Sequence, residues 1–510
     1  MTTIRTRFAP SPTGYLHIGS LRTALYAYLF ARQNNGDFIL RVEDTDQSRE
    51  IEGAVQHLIQ TLENMGIDYD EGPTKDGEKG PHSPYYQSQR LDIYKKYVDQ
   101  LVLDGKAYYS FKTTKEIDKI KKNLANKPPF FSSESAGGAI NPLRREHFNE
   151  HYTPDELNTK IEQGEEYVIR LEMPTSGRSE FIDLVRGKLS IEYATMDDFI
   201  LMKSDGFPTY NFANVIDDYE MNITHVIRGE EFIPSMPKHL YLYEALGFEK
   251  PEFAHLPLIL NPDKTKLSKR QGDVSVEDFL DKGYLPQTLI NFVALLGWNE
   301  GDGITEEFYT LDELVKAFSF QKVHKGGAIL DTTKLDWMNG KYLREKITIE
   351  EFLNLIFEEL KESLDKYKCG IQYLEDKNKL NYFAQLIRAR IDRINQVADF
   401  FSENQWLDEP ATYKKELLTW KKSTFEDALE KLTELHAEIT TLTDDNFNSV
   451  ESIEKVLKIW IESKEYGNGD VLWPMRVALT GQERSPNPFE IAYLVGREET
   501  LRRIQIAIDK

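Results

Sequence analysis

The stretch RFAPSPTGYLHIGSLRTALYAY, Arg7 to Tyr28, sets two prolines, two glycines and a histidine between a short apolar segment and a long periodic one. Residues 4–8 read as a buried strand, and apolar positions 21, 24, 25, 28 and 29 follow helical spacing. Proline and glycine punctuate turns in any α/β unit, so the turn alone decides little. Its position ahead of a helix is more informative. A helix N-terminus presents unpaired N–H groups and a partial positive charge, which suits an anion. Gly14 and Gly19 permit close approach of a flat base or backbone. His17, one step before the helix, can donate to a phosphate oxygen. Neither of the common phosphate fingerprints, G-x-x-x-x-G-K-[ST] and G-x-G-x-x-G, is present.

Outward from this turn, Phe38–Val42 reads as a second strand that ends in Glu43-Asp44-Thr45-Asp46, with helical patterns at 54–65 and 91–103. Strand alternating with helix predicts a Rossmann-like, doubly wound parallel sheet. The rhythm breaks after Gly105. A charged helix over 112–126, a Pro/Gly/Ser-rich loop over 128–142 and antiparallel strands at 167–173 and 181–193 predict an α+β insertion over 106–196. The rhythm returns with a strand at 199–203, helices near 210–216 and 234–246, and strands at 225–228 and 253–260. From 276 onward helical patterns dominate. The predicted domains are 1–105, 106–196, 197–260, 261–344 and an all-α 345–510.

The 510 residues are too many for one core, and 40% hydrophobic with 12% aromatic residues is ample for packed interiors. No segment approaches the run of about 18 apolar residues that a membrane span needs. The N-terminus has no apolar signal core, so a soluble cytoplasmic protein is expected. One cysteine, Cys369, excludes an internal disulfide and a cysteine-cluster zinc site. The net charge of −22 argues against unselective nucleic-acid binding and leaves selective binding open. Basic clusters do occur, at Lys112–Lys122, Arg144–Arg145, Lys264–Arg270 and Arg388–Arg393, each by itself readable as a solvated face.

One of these clusters changes the reading of the first turn. NPDKTKLSKRQGD, at the end of a strand roughly 250 residues later, carries lysines that can converge on one polyphosphate. The two motifs resemble the HIGH and KMSKS signatures of class I aminoacyl-tRNA synthetases. With FILRVEDTD, DGFPTYNFANVIDD and THVIRGEEF, the chain resembles glutamyl-tRNA synthetase throughout its length. The first signature departs from the family name, with Ser20 in its fourth place.

The resemblance implies a two-step reaction. Glutamate attacks the α-phosphorus of ATP, releasing pyrophosphate, and the glutamyl group then passes to the terminal ribose of tRNA(Glu). It implies that His17 and the turn amides hold the α-phosphate, that Gly19 lies against adenine, and that Lys269 and Lys266 neutralise pyrophosphate with help from Mg²⁺. Pro10, Ser11, Thr13, Gly14, Glu231 and Leu260 complete the implied ATP site. For glutamate, the residues alone suggest that Arg7 and Arg228, at strand ends on one sheet edge, offer planar forks for carboxylates, or else pair with Glu43 or Asp44. The resemblance gives Arg7, Arg228 and Tyr210 to the side-chain carboxylate and Glu43 to the ammonium, with Ala9, Ser11 and Asn214 supporting. It implies that the insertion grips the acceptor end, without the cysteine-built zinc knob of some relatives. It also implies that the helical third reads the anticodon through Arg388 and Arg390, that the enzyme discriminates in favour of tRNA(Glu), and that it is a monomer. A glutaminyl enzyme is disfavoured by the helical C-terminal pattern. The short glutamyl-queuosine relative and a small nucleotidyltransferase are disfavoured by chain length, and a silent paralogue by intact His17, Gly19 and Lys269.

Overall fold

The computed structural model describes residues 3–125, 131–133, 138–140, 142–148, 150–267, 274–301, 303–360, 376–407, 409–410 and 412–510. The chain forms two compact units, residues 1–280 with 285–335, and residues 281–284 with 336–510.

In the first unit, β1 (Arg5–Phe8) lies parallel to β2 (Asp37–Leu40), with Arg5 opposite Asp37 and Phe8 opposite Leu40. Helix α1 (Ile18–Gln33) connects them, making the parallel crossover that the alternating pattern predicts. It buries more than the expected stripe: Arg22, Tyr26, Ala27 and Ala31 are covered together with Leu21, Ala24, Leu25 and Leu29. Burial is two-sided because the helix Pro286–Ala294 lies against it, and the Tyr26 hydroxyl donates to the Ala294 carbonyl at 2.9 Å. Truncating a fully buried leucine here, such as Leu25, costs about 2–5 kcal/mol.

The strands His225–Gly229 and Glu252–Leu256 are parallel in turn, Arg228 facing His255. Their sheet meets β1 where the Thr224 N–H donates to the Arg5 carbonyl at 2.9 Å. Ile39, Tyr94, Leu201, Phe212, Ile216 and Leu240 belong to the core between these strands and the helices Leu91–Leu103, Tyr210–Glu220 and Met236–Leu246.

Several features differ from the sequence reading. The segment 181–193 is not one strand. Arg178–Asp183 and Gly187–Glu192 form a hairpin, turned by Gly187 at φ 81°, and Arg178–Asp183 runs parallel to Glu252–Leu256 within the same sheet. The expected loop at 128–142 contains a short antiparallel pair, Phe131–Ser133 with Gly138–Ile140. Ala107–Ser110, within 106–196, and Ile200–Met202, which the sequence reading placed after it, flank Val168–Leu171 in an antiparallel sheet. Arg144 is buried rather than solvated: it donates to the Met173 and Tyr193 carbonyls at 2.8 Å and pairs with Asp198 at 3.3 Å.

The second unit is helical, with no strand among its described residues. Phe425–Thr441 shows the local logic. Thr424 caps it by accepting from the Asp427 N–H, and Ala428, Leu432, Leu435 and Ile439 form its buried stripe. Arg503, buried, ties the last helix down by donating to the Trp406 and Leu479 carbonyls. No helix among the described residues is long and apolar enough to cross a membrane.

Candidate active site

The turn after β1 is pinned from several sides. Arg41 and Glu43 donate backbone N–H groups to the Phe8 and Pro10 carbonyls, at 3.0 and 2.9 Å, and the Ile51 N–H reaches Pro12 at 3.0 Å. Gly14 sits at φ 135°, a conformation that side chains rarely adopt. His17 caps α1 in extended conformation, its Nδ1 accepting from the Gly19 N–H at 2.9 Å. That bond leaves the ring neutral with its proton on Nε2.

The helix terminus itself differs from expectation. Its N–H groups are engaged: Ile18 donates to Val274, Gly19 to His17 Nδ1, and Ser20 and Leu21 to the His17 carbonyl. An anion at this turn therefore meets the loop and the imidazole, with the first-turn amides already engaged.

A cleft of about 520 Å³ opens along this turn. Its walls bring together Arg7, Ala9, Pro10, Ser11, Thr13, Gly14, His17, Gly19, Glu43, Tyr210, Asn214, Arg228, Glu231 and Lys266. Leu260 is not among the lining residues, although its neighbours Leu258 and Ile259 are. Lys266 bridges Leu260 as an isolated β-pair, and the Leu267 N–H donates to Ile259. Where the described chain resumes, Ser275 pairs with His17, and the Val276 N–H donates to Leu16 at 2.8 Å. The flank after the basic loop thus attaches to the histidine turn, and the flank before it folds back on residues 259–260. Lys269 itself lies outside the described residues.

The buried charges fall into two sets. Asp218 receives Arg7 through Nε at 3.0 Å and Nη2 at 3.3 Å, and Arg41 Nη1 at 2.8 Å. Burial opposes its ionisation, but the charges of Arg7 and Arg41 outweigh burial and hold its carboxyl below the usual range. Neighbouring Asp217 takes Arg90 Nε at 2.7 Å, and Gln87 Nε2 and the Tyr94 hydroxyl, each at 2.8 Å. Glu43 accepts from Arg41 Nη2 at 3.3 Å and Asn214 Nδ2 at 3.1 Å, both on Oε1. Its burial raises its affinity for a proton despite Arg41 and Arg7. Arg7 is thus committed to Asp218, and the partner of Asp44 is Ser88.

Arg228 is different. It is 4% exposed and makes no ion pair with any carboxylate among the described residues. Its neighbours are the Tyr210 hydroxyl at 3.4 Å, His255 Nε2 and His239 Nδ1 at 3.2 Å, the Met236 sulfur and the Phe232 ring face, whose centroid is 5.2 Å away. A buried cation without an internal counter-ion is expensive to keep. It is suited to receive an anion from outside.

Sequence reasoning missed Arg41, Asp217, Asp218, His239 and His255. One signal was available: Asn214, Asp217 and Asp218 share one face of Tyr210–Glu220, and a polar face on a buried helix marks an internal charge network. In the second unit, Arg388 ends the helix Lys377–Arg388 and donates to the Ile347 carbonyl at 3.3 Å. Arg390, beyond the helix, donates to Leu386 and reaches Glu490 at 3.5 Å. Arg393 pairs with Asp336 at 3.4 Å.

Comparison with known proteins bears on this geometry. A model of the class I tRNA synthetase catalytic domain (E and Q) matches residues 3–337, and one of an anticodon-binding domain matches 355–508. The glutamate–tRNA ligase of Chloroherpeton thalassium is 43% identical, with 100% of this chain and 98% of that protein covered. That of Clostridium botulinum Eklund 17B is 42% identical over 99% and 98%. A crystal structure of the glutamate tRNA ligase from Elizabethkingia meningosepticum, in complex with its amino acid, superposes with a TM-score of 0.85. It is 36% identical, with 100% of both chains covered. The glutamate-tRNA synthetase of Elizabethkingia anophelis gives 0.82 at the same identity.

Proposed function

The chain belongs to the class I glutamate–tRNA ligases, and from that premise we propose how its cleft recognises glutamate and activates it. Such an enzyme uses ATP, glutamate and tRNA(Glu). The glutamate α-carboxylate attacks the α-phosphorus and pyrophosphate leaves. The 3′-terminal adenosine of the tRNA then takes the glutamyl group and AMP leaves. Both attacking oxygens come from substrates, so catalysis rests on alignment and placed charge.

Arg228 and Tyr210 receive the side-chain carboxylate. The lack of an internal carboxylate partner for Arg228 carries this reading, since glutamate supplies the missing charge and glutamine does not. Arg7 stands at the same wall, its fork held and its charge shared by Asp218. Glu43, tied through one oxygen to Arg41 and Asn214, takes the ammonium, with Ala9 and Ser11 beside it. His17 Nε2–H addresses the α-phosphate. Gly19 leaves room for adenine, and Pro10, Thr13, Gly14 and Glu231 wall the nucleotide. Lys266 and Lys269 meet the pyrophosphate.

Among the described residues no group of three or more His, Cys, Asp or Glu side chains is arranged to hold a metal. Mg²⁺ keeps several waters and binds chiefly through substrate phosphates, so it would arrive with ATP and help Lys266 and Lys269 neutralise the pyrophosphate. Residues 106–196 take the acceptor end and 345–510 the anticodon, with Arg388 and Arg390 contributing to a preference for tRNA(Glu). The working form is a cytoplasmic monomer.

ATP–pyrophosphate exchange in the presence of tRNA tests the glutamate site. Arg228→Gln should raise KM for glutamate about 100-fold or more while KM for ATP stays within about threefold. A change confined to ATP would overturn the pocket assignment.

A further inference from the structure

Behind Arg228 stand two buried histidines whose ring nitrogens are all engaged. Arg228 Nε donates to His255 Nε2 at 3.2 Å, and His255 Nδ1 lies 2.7 Å from Asp183 Oδ2. Arg228 Nη2 donates to His239 Nδ1 at 3.2 Å, and His239 Nε2 lies 2.8 Å from Asn211 Oδ1. A guanidinium can only donate, so the ring nitrogens facing it carry no proton. The protons sit on the far nitrogens, where Asp183 and Asn211 accept them. Both rings are 1% exposed or less, and burial, with Arg228 nearby, holds each below the usual histidine range. They are neutral acceptors.

We propose that His255 and His239 are positioning residues that fix the Arg228 guanidinium without cancelling its charge, and thereby set the preference for a carboxylate over an amide in the substrate side chain. The inference rests on the assignment of Arg228 to that carboxylate. The usual way to hold a buried arginine is a carboxylate, as Asp218 holds Arg7. At Arg228 such a group would orient the fork equally well and would compete with the substrate. Imidazoles supply the lone pairs without the charge. Asp183 is kept one ring away, where it fixes the His255 tautomer. The Phe232 face adds a further contact that brings no anion.

Asparagine and aspartate are nearly isosteric, and their first side-chain oxygen falls where His239 Nδ1 lies. In the full-length enzyme with tRNA, His239→Asn should leave KM for glutamate within about threefold of the starting value. His239→Asp should raise it at least about thirtyfold, leave KM for ATP unchanged and narrow the preference for glutamate over glutamine. Equal KM values for glutamate in the two variants would overturn the proposal, as would a parallel rise in KM for ATP. Should the aspartate variant fail to fold by circular dichroism, His239→Leu replaces it. Loss of the acceptor should then raise KM for glutamate about tenfold relative to His239→Asn, and equality would again overturn the proposal. Arg228→Gln, assayed alongside, separates the two levels. If it leaves KM for glutamate unchanged, the underlying assignment fails whatever the histidine variants do. If it raises that KM while the His239 variants are equal, only the role of the histidines fails.

Discussion

Arg7 and Arg228 end neighbouring strands, are both buried and line one cleft, yet they are held in opposite ways. Arg7 shares Asp218 with Arg41, and the group continues through Glu43 and Asp217 to Arg90. Among the described residues, Arg228 has only neutral hydrogen-bond partners. The first arrangement spends its charge on cohesion, joining β1 to the helix Tyr210–Glu220. The second keeps its charge for a substrate. A residue type and a position at a strand end do not distinguish these roles; the partner does. The counter-ion of each arginine decides whether it serves the fold or the chemistry.

Three measurements sharpen or break this contrast. The largest effect belongs to Asp218→Ala, which leaves two buried guanidiniums without their shared carboxylate and should cost about 3–5 kcal/mol in urea unfolding. A loss below about 1 kcal/mol would show that the network does not hold the fold. Next comes one substitution at both arginines. Arg7→Gln strips Asp218 of its paired fork and should cost about 2–3 kcal/mol. Arg228→Gln keeps a donor for its neutral acceptors and removes an uncompensated charge, so its stability should change by less than about 1 kcal/mol. Equal losses at the two sites would erase the distinction.

The sequence disclosed this contrast only in part, for a physical reason. The strand, turn and helix around His17 are local, so their periodicity and turn chemistry are legible in order along the chain. So were the strand ends that place Arg7, Glu43 and Arg228 at one edge. The Arg7 counter-ion lies 211 positions away and, Glu43 apart, those of Arg41 lie on the same distant helix, and no local pattern ties such residues together. The same holds for Asp183, whose hairpin joined a sheet 72 positions later in the chain through His255. The occupation of the Ile18 amide by Val274 was also invisible, since it depends on a segment brought in from beyond the basic loop.

The smallest effect concerns pH and probes the neutral histidines directly. Burial is the main cause that lowers His239, with Arg228, Arg7, His255 and Lys238 adding repulsion. His255 is lowered by burial and by Arg228 and Arg186, against the pull of Asp183. A histidine whose folded value lies below 6.5 stays neutral while the unfolded chain begins to take up its proton. Below that pH the unfolded state binds more protons, so stability falls as pH falls, by at most about 1.4 kcal/mol per pH unit for each ring. The carboxylates respond too: Glu43 and Asp198, raised by burial, push the other way. Comparing the wild type with His239→Asn cancels these shared contributions. Between pH 7.5 and 5.5 the wild type should lose more stability in urea than the variant does. An identical pH dependence would mean that His239 takes up its proton in the fold as readily as in the unfolded chain, and the neutral cradle would be lost with it.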